Sequence, residues 1–329
     1  MQKKVLVTGA GGFIGLNTVK MYSKYGFKVF ALVHNNIPVE LYSMENVEII
    51  QGDVTSRDFM MQFDKRFDVI AHVAGLASDI GSDEVFRKVN YEPVTYLYEL
   101  PKEKFIYISS SDVYGIKDFT DADENTPLTE FPKNPYPKYK IMSENFLRQS
   151  CGNYVIIRPA AVWGEGDKTL EKRVEDFLKI SPFIVHFGKW KGTNRWPLAN
   201  VENVAKTVVA ASMFDDFDRQ AVTVIDPEKT TIDEYYRKIA AKYFPDKKFL
   251  SVTLPFWVGK VIGFISTTVS NALKLKHPVY DPTFYALHHV SSNLDFSSQK
   301  MLQALQLLKN SDNNRFISSK LPLKLQGFL

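Results

Sequence analysis

Tyr136 and Lys140 stand four residues apart in the run Asn134-Pro135-Tyr136-Pro137-Lys138-Tyr139-Lys140. On a helix that spacing puts them on one face. Asn134 is a good helix cap, and Pro137 falls in the first turn, where a missing N–H costs little. Upstream, the apolar run Phe105-Ile106-Tyr107-Ile108 leads into Ser109-Ser110-Ser111-Asp112-Val113-Tyr114-Gly115. A hydroxyl, a phenol and an ammonium together suit acid–base work at an alcohol or carbonyl. Free tyrosine titrates near about 10, too high for a base at neutral pH. A lysine ammonium about 4–5 Å away, at an effective dielectric near 20, favours the phenolate by roughly 3–4 kcal/mol and so lowers the phenol's pKa. A tyrosine tuned in that way takes a proton from a substrate hydroxyl, or returns one to a ketone oxygen, while a serine hydroxyl orients that oxygen. The spacing alone is not selective. Tyr98…Lys102 and Tyr243…Lys247 share it, but each pair encloses a proline that spoils the helix.

The groups need a frame, and the first fifteen residues indicate one. Val5-Leu6-Val7-Thr8 is an apolar, strand-like run, and Gly9-Ala10-Gly11-Gly12-Phe13-Ile14-Gly15 follows it. Gly9 permits a sharp turn, Gly12 lets backbone approach a pyrophosphate, and Gly15 lets a helix pack close to the strand. The anion then sits at a helix N-terminus, where free N–H groups and the dipole favour negative charge. A helix over 17–25 follows, ended by Gly26. Further strand-like runs lie at 29–33, 47–50, 67–73, 105–108 and 154–157, with helical segments between them. Strands that are apolar on both faces and alternate with helices predict an α/β fold, a doubly wound parallel sheet of Rossmann type. The serines after 105–108 then lie on the same sheet edge as the glycine turn.

Beyond Gly164 the pattern loosens. Helices are expected over 168–178 and 231–243, a strand and helix over 197–211, and a strand over 222–225. An apolar, helix-like segment spans 255–275. Ser297 is expected to cap a helix over 297–308, and the tail 311–329 carries no assignable pattern. The dinucleotide-binding domain is therefore placed at 1–164 plus about 197–225. A smaller, discontinuous substrate domain takes about 165–196 and 226–329.

Composition narrows the class. The chain has 329 residues, 45% hydrophobic and 24% charged, with a net charge of +4 and no strong basic clustering, which argues against nucleic-acid binding. Cys151 is the single cysteine, so an internal disulfide and a cysteine-built zinc site are excluded, and no metal is expected. The run Met1-Gln2-Lys3-Lys4 and the short strand after it are too brief for a signal peptide. The longest apolar region, 254–275, is interrupted by Lys260, Asn271 and Lys274 and does not read as a transmembrane span; a buried or interfacial helix fits it. A cytoplasmic location is expected.

Taken together, Thr8-Gly9-x-x-Gly12-x-x-Gly15, Ser109-Ser110-x-x-Val113-Tyr114-Gly115 and Tyr136-x-x-x-Lys140 resemble the extended short-chain dehydrogenase/reductase family, also called NAD-dependent epimerase/dehydratases. The resemblance covers roughly residues 3–225. It implies a nicotinamide cofactor that carries the hydride. It implies Tyr136 as the acid/base and Lys140 as the residue that binds the nicotinamide ribose and tunes Tyr136. Ser110 takes the catalytic serine position, with Ser111 as the fallback. It places Gly9, Gly12, Phe13, Ile14 and Gly15 on the pyrophosphate, Asp53 and Val54 at the adenine, and Ala74 and Gly75 at the adenine ribose. Pro159 and Val162, in Arg158-Pro159-Ala160-Ala161-Val162-Trp163-Gly164, flank the nicotinamide; Trp163 stands where a tyrosine is commoner. NAD-specific members usually carry an acid at the end of the second strand. Here the run is Leu32-Val33-His34-Asn35-Asn36, and His34 falls where NADP users often carry arginine, which favours NADP(H) over NAD(H).

The substrate is expected to be a small molecule. Val201-Glu202-Asn203-Val204-Ala205 and the order of segments after 255 resemble the 3β-hydroxysteroid dehydrogenase and dihydroflavonol reductase branch, so a secondary alcohol or ketone on a greasy, ring-shaped molecule comes first. A nucleotide-sugar epimerase, dehydratase or reductase is the alternative, with Lys189, Lys191 and Arg195 available for a diphosphate. Asp112 without a following glutamate is an incomplete dehydratase pair. A cofactor-binding sensor that has lost catalysis is a further alternative, disfavoured by the intact Ser110, Tyr136 and Lys140. Pairing of two copies through two helices is the family's habit.

Overall fold

A computed structural model describes residues 2–63, 65–275, 277–279 and 281–320, with side chains as far as Asp312. The first half runs β1 (Lys4–Thr8), α1 (Phe13–Lys24), β2 (Lys28–Val33), β3 (Val47–Gln51), α2 (Arg57–Met60) and β4 (Phe67–His72). Then come α3 (Asp83–Asn90), α4 (Glu92–Leu97), β5 (Lys102–Ile108), α5 (Pro135–Gln149), β6 (Asn153–Pro159) and β7 (Ala161–Trp163). The rest is α6 (Leu170–Ile180), β8 (Phe183–Phe187), β9 (Leu198–Asn200), α7 (Val201–Met213), β10 (Gln220–Val224) and α8 (Ile232–Tyr243). It closes with β11 (Leu250–Leu254), α9 (Phe256–Ala272), α10 (Phe284–Ser291) and α11 (Gln299–Lys320).

Seven strands form one sheet in the order β3-β2-β1-β4-β5-β6-β10, and each neighbouring pair is parallel. Alternation along the strands divides the core. Val5, Val7, Val29, Ala31, Val69, Ala71, Ile106 and Ile157 face α1, α7 and α11. Leu6, Phe30, Leu32, Ile70, Phe105, Tyr107 and Ile156 face the opposite way, onto Val94, Leu97 and Leu147 of α4 and α5. This is the doubly wound α/β architecture that the alternation predicts. The strand order reverses beside β1, so a crevice opens at the carboxyl ends of β1 and β4. A separate cluster forms where α6 and α8 pack with the two-stranded β8–β11 ladder, through Val174, Leu178, Ile184, Tyr235, Ile239 and Phe249.

Some boundaries differ from the sequence expectation. α1 begins at Phe13 rather than at residue 17, because the turn feeds directly into it: Leu16 N–H bonds to the Gly12 carbonyl at 2.8 Å. α11 begins two residues after Ser297. Its first turn closes on the Ser298 carbonyl, which accepts from Leu302 N–H, while the Ser297 hydroxyl accepts from Gln299 N–H at 3.5 Å. α11 runs to Lys320, and the end of the tail, 321–329, lies outside the described residues. β8, β11 and α10 had no expected counterpart. The short β8 and β11 differ little from loop in periodicity, and α10 spans only eight residues.

Candidate active site

The turn after β1 is shaped by what its glycines exclude. A Cβ on Gly15 would sit 1.9 Å from the Gly9 carbonyl oxygen, so α1 approaches the turn more closely than any side chain allows. Gly9 has φ +67°, and a Cβ there would meet the Ala74 backbone at 2.7 Å. A Cβ on Gly12 would meet only the Gly9 carbonyl, at 3.3 Å. The α1 N-terminus, at Gly12 and Phe13, faces the crevice. The cradle fits a dinucleotide pyrophosphate: free N–H groups at a helix start, with no side chain in the way.

Thr8 couples this turn to the next strand. Its hydroxyl lies 2.8 Å from His72 Nδ1 and accepts from Ala74 N–H at 3.2 Å. His72 is buried, and burial together with nearby Lys140 pulls its pKa down to about 3, so the ring is neutral. The chain after β4 is clamped by Asn90, which accepts from Leu76 N–H at 2.8 Å and donates to the Leu76 carbonyl at 3.0 Å.

The serine, tyrosine and lysine expected to react come from two elements. β5 delivers Ser109, Ser110 and Ser111, and the last begins a short 3-10 turn to Tyr114. α5 carries Tyr136 and Lys140 on one face, with the Asn134 side chain accepting from Tyr136 N–H at 2.8 Å as its cap. Ser110 shares a side-chain hydrogen bond with Tyr136. Lys140 is buried; its ammonium donates to the Ile108 carbonyl at 2.7 Å and lies 5.8 Å from the Tyr136 ring centre.

The electrostatics correct the sequence argument. Tyr136 is pushed above its ordinary value, first by burial and then by the Asp112 carboxylate, with the Ser110 bond opposing. Lys140 is itself pulled down to about 7 by burial, with Glu144 opposing. The spacing argument gives the ammonium its full charge and points it at the phenol. The structure withdraws both groups from water and points the ammonium at a carbonyl, so desolvation outweighs their attraction. At neutral pH Tyr136 is a phenol.

Asp112 has partners that no local pattern announces. Tyr285 Oη donates to Asp112 Oδ2 at 2.6 Å, and His289 Nε2 lies 3.5 Å from the same oxygen. Burial opposes ionisation of Asp112, but His289 and the bonds from His289 and Tyr285 hold its carboxyl below the usual range. Burial likewise pulls His289 down, yet Asp112 raises it overall. Both partners belong to α10, more than 170 residues further along the chain. Beneath the serines, Glu144 and Arg158 form a fully buried bidentate pair, Nε–Oε1 3.0 Å and Nη2–Oε2 2.5 Å. Ser109 Oγ donates to Glu144 Oε1 at 2.7 Å, and Arg158 Nη1 donates to Tyr114 Oη at 2.8 Å.

One cavity of about 1260 Å³ collects these groups. Gly9, Gly12, Phe13, Ile14, Gly15, His34, Asp53, Val54, Ala74, Gly75, Pro159 and Val162 line it, as do Ser110, Tyr136 and Lys140. His34 Nε2 is 3.8 Å from Asp53 Oδ2 at its outer end. Past Tyr136 the wall becomes apolar, with Val174, Phe177, Phe187, Trp196, Ile262 and Val290. Arg173 also stands there, held between two carboxylates: Nη2 to Asp79 at 2.7 Å and Nε to Asp281 at 2.9 Å. Lys189, Lys191 and Arg195, offered above for a diphosphate, are not among the described residues that line the cavity. Lys189 pairs with Asp118 at 2.6 Å, and Arg195 donates to the Lys229 carbonyl at 2.6 Å.

The glycine cradle and the serine strand fall inside a longer match: the model of the 3-beta hydroxysteroid dehydrogenase/isomerase family covers residues 6–226. The chain belongs to that family. Its relatives in the family include a 3-beta-hydroxysteroid dehydrogenase of Mycolicibacterium neoaurum, 28% identical over 187 residues, which are 52% of this chain and 50% of the relative. A sterol-4-alpha-carboxylate 3-dehydrogenase (decarboxylating) of Saccharomyces cerevisiae is 24% identical over 67% of this chain and 68% of its own. The chain spans about half the length of the first curated relatives it matches. The fold is shared more widely. An epimerase of Methanothermobacter thermautotrophicus superposes with a TM-score of 0.66 at 18% identity, over 94% of this chain and 95% of that one. The matched family region ends at 226, so Tyr285 and His289, the partners of Asp112, lie outside it.

Proposed function

We propose that this chain is an NAD(P)-dependent oxidoreductase that interconverts a secondary alcohol and a ketone on an apolar, ring-shaped substrate. The observation that carries the reading is the position of Tyr136 and Ser110, between the glycine cradle and an apolar chamber in which Arg173, the one arginine among the described residues that line it, is already paired with two carboxylates. Held in this way, the arginine offers a substrate diphosphate no unpaired charge. An uncharged ring system needs only the apolar wall.

The nicotinamide supplies or takes the hydride. The chain's own groups do the rest. Ser110 and Tyr136 hold the carbonyl oxygen, and Tyr136 gives it a proton from Oη; in the reverse sense Tyr136 receives the proton of the alcohol. Lys140 holds the ribose beside Tyr136, and the α1 N-terminus holds the pyrophosphate. The apolar chamber excludes water from the carbonyl.

Assayed with NADPH or NADH, a panel of cyclic apolar ketones is expected to give turnover, while UDP-glucose gives neither turnover nor binding. Epimerisation of UDP-glucose, with no nicotinamide absorbance change on any ketone, would replace this reading by the nucleotide-sugar one. No reaction on either panel, together with tight cofactor binding, would favour the sensor.

At the 2′ position the end of β2 offers His34, which favours NADP(H), and Asp53 opposes it from 3.8 Å away. Asp53→Asn should shift the ratio of dissociation constants several-fold towards NADP(H), and His34→Ala several-fold towards NAD(H), as exposed charges do. Titration of both variants with both cofactors checks this; an unchanged ratio in both refutes it.

A further inference from the structure

Asp112 takes no part in the hydride and proton transfers, yet it stands beside them. The other carboxylates of the cavity are engaged elsewhere: Asp79 and Asp281 hold Arg173, and Asp53 faces His34 at the outer end. Asp112 belongs to the turn that carries Ser110, and its N–H donates to Ser110 Oγ at 3.2 Å. Ser110 in turn bonds to Tyr136, and after burial it is the Asp112 carboxylate that raises the Tyr136 phenol. The carboxylate therefore borders the place where the reacting oxygen is held.

Its two oxygens differ. Oδ2 accepts from Tyr285 Oη at 2.6 Å and has His289 Nε2 3.5 Å away. Among the described residues no donor reaches Oδ1. The Asp112 side chain lines the cavity and keeps 17% of its surface exposed, so Oδ1 is open to whatever fills the chamber. The wall around it is apolar, with Phe187, Trp196 and Val290. A ring system that fills this space expels the water that would otherwise solvate Oδ1. An ionised oxygen stripped of water and left without a donor is costly, so a substrate that brings no donor is penalised. A substrate hydroxyl removes the penalty and adds a charge-assisted bond. An anionic substituent in the same place is repelled. Selection of this kind is strong, because rejection comes from the unpaired group and not from contact area. Two oxygens two residues apart in one turn match substituents on neighbouring ring carbons, not on opposite ends of a ring system.

Within the oxidoreductase reading above, on which this rests, we propose that Asp112 Oδ1 accepts a hydrogen bond from a hydroxyl on the ring carbon next to the reacting one. The ketone form of the substrate is then an α-hydroxyketone and the alcohol form a vicinal diol. Tyr285 and His289 are positioning residues: they fix Oδ2 and so aim Oδ1.

Reduction of three ketones by the full chain, with NADPH or NADH, tests it: tetralone, and tetralone with a hydroxyl or a methoxy group on the carbon next to the carbonyl, each enantiomer assayed separately. One enantiomer of the hydroxyketone should exceed plain tetralone in kcat/KM by about tenfold to a hundredfold, as a hydrogen bond to a charged group does, and the methoxy compound should not exceed it. Asp112→Ala should bring the ratio of hydroxyketone to plain ketone to within about threefold of unity. Because the ratio is taken within one enzyme, any change in Tyr136 cancels. Asp112→Asn, which keeps an acceptor oxygen without the charge, should leave an intermediate ratio. Tyr285→Phe should lower the ratio as well, a change in specificity that a merely structural role would not produce. Equal kcat/KM on all three ketones overturns the hydroxyl site and leaves the oxidoreductase reading standing, and so does a preference that survives in Asp112→Ala. Absence of any nicotinamide absorbance change on the three overturns both. The wild-type comparison of hydroxyl with methoxy decides even where a variant does not fold.

Discussion

Tyr136→Phe is expected to lower kcat by about a thousandfold or more while changing the cofactor dissociation constant by less than about threefold. The substitution removes one oxygen from a ring that keeps its place in the cavity wall, so binding survives and the proton is lost. Normal turnover in this variant would sink the assignment. The pH profile gives a second reading of the same group. Burial and Asp112 hold Tyr136 above its ordinary value, so the phenol dominates through the neutral range. Ketone reduction, which uses the phenol, should stay level there. Alcohol oxidation, which needs the phenolate, should rise with pH well into the alkaline range. Asp112→Asn removes the second of the two causes and should move the oxidation profile to lower pH. Initial rates in both directions from about pH 6 to 10 test this, and coincident profiles in the two directions would contradict it.

The largest expected effect on stability lies under the site. Arg158→Met is expected to cost about 3–5 kcal/mol, because it strands the Glu144 carboxylate in the core with only the Ser109 hydroxyl and a 3.3 Å contact from Arg148. Glu144→Leu combined with Arg158→Met should recover much of that loss, since an apolar pair of similar volume carries no desolvation penalty. Chemical denaturation of the single and double variants measures both. A loss below about 1 kcal/mol in the single variant would mean that water reaches Glu144. The double variant also separates stability from chemistry. Ser109 loses its acceptor there while Ser110 and Tyr136 are untouched, so turnover should fall far less than in Tyr136→Phe.

What was legible in the sequence follows the range of each interaction. The glycines of the first turn, the Asn134 cap and the Tyr136–Lys140 face are local patterns, set by neighbours within four residues. The parallel sheet follows from strands that are apolar on both faces. The wall of the cavity is not local. Asp112 meets Tyr285 and His289 across most of the chain, and Arg173 meets Asp79 and Asp281 from three separate segments. Nothing in the spacing of Lys189 and Arg195 shows that they are engaged outside the cavity. The tuning of Tyr136 escapes the sequence for a related reason: spacing gives the distance between two charges but not the water removed from each. The 254–275 segment is apolar by composition, and only the packing of Gly259 and Gly263 against α10 shows that its large side chains face outward.

The burial of Lys140 sets the proposed reactive centre against the fold that holds it. In the unfolded chain a lysine titrates near its ordinary 10.5, and in the folded one at about 7. Between those values the unfolded chain keeps a proton that the folded chain has shed, so stability climbs as pH rises through that window and is lowest, on this account, below it. A copy of this protein released from selection for turnover would gain cohesion by trading the amine for a methylene chain.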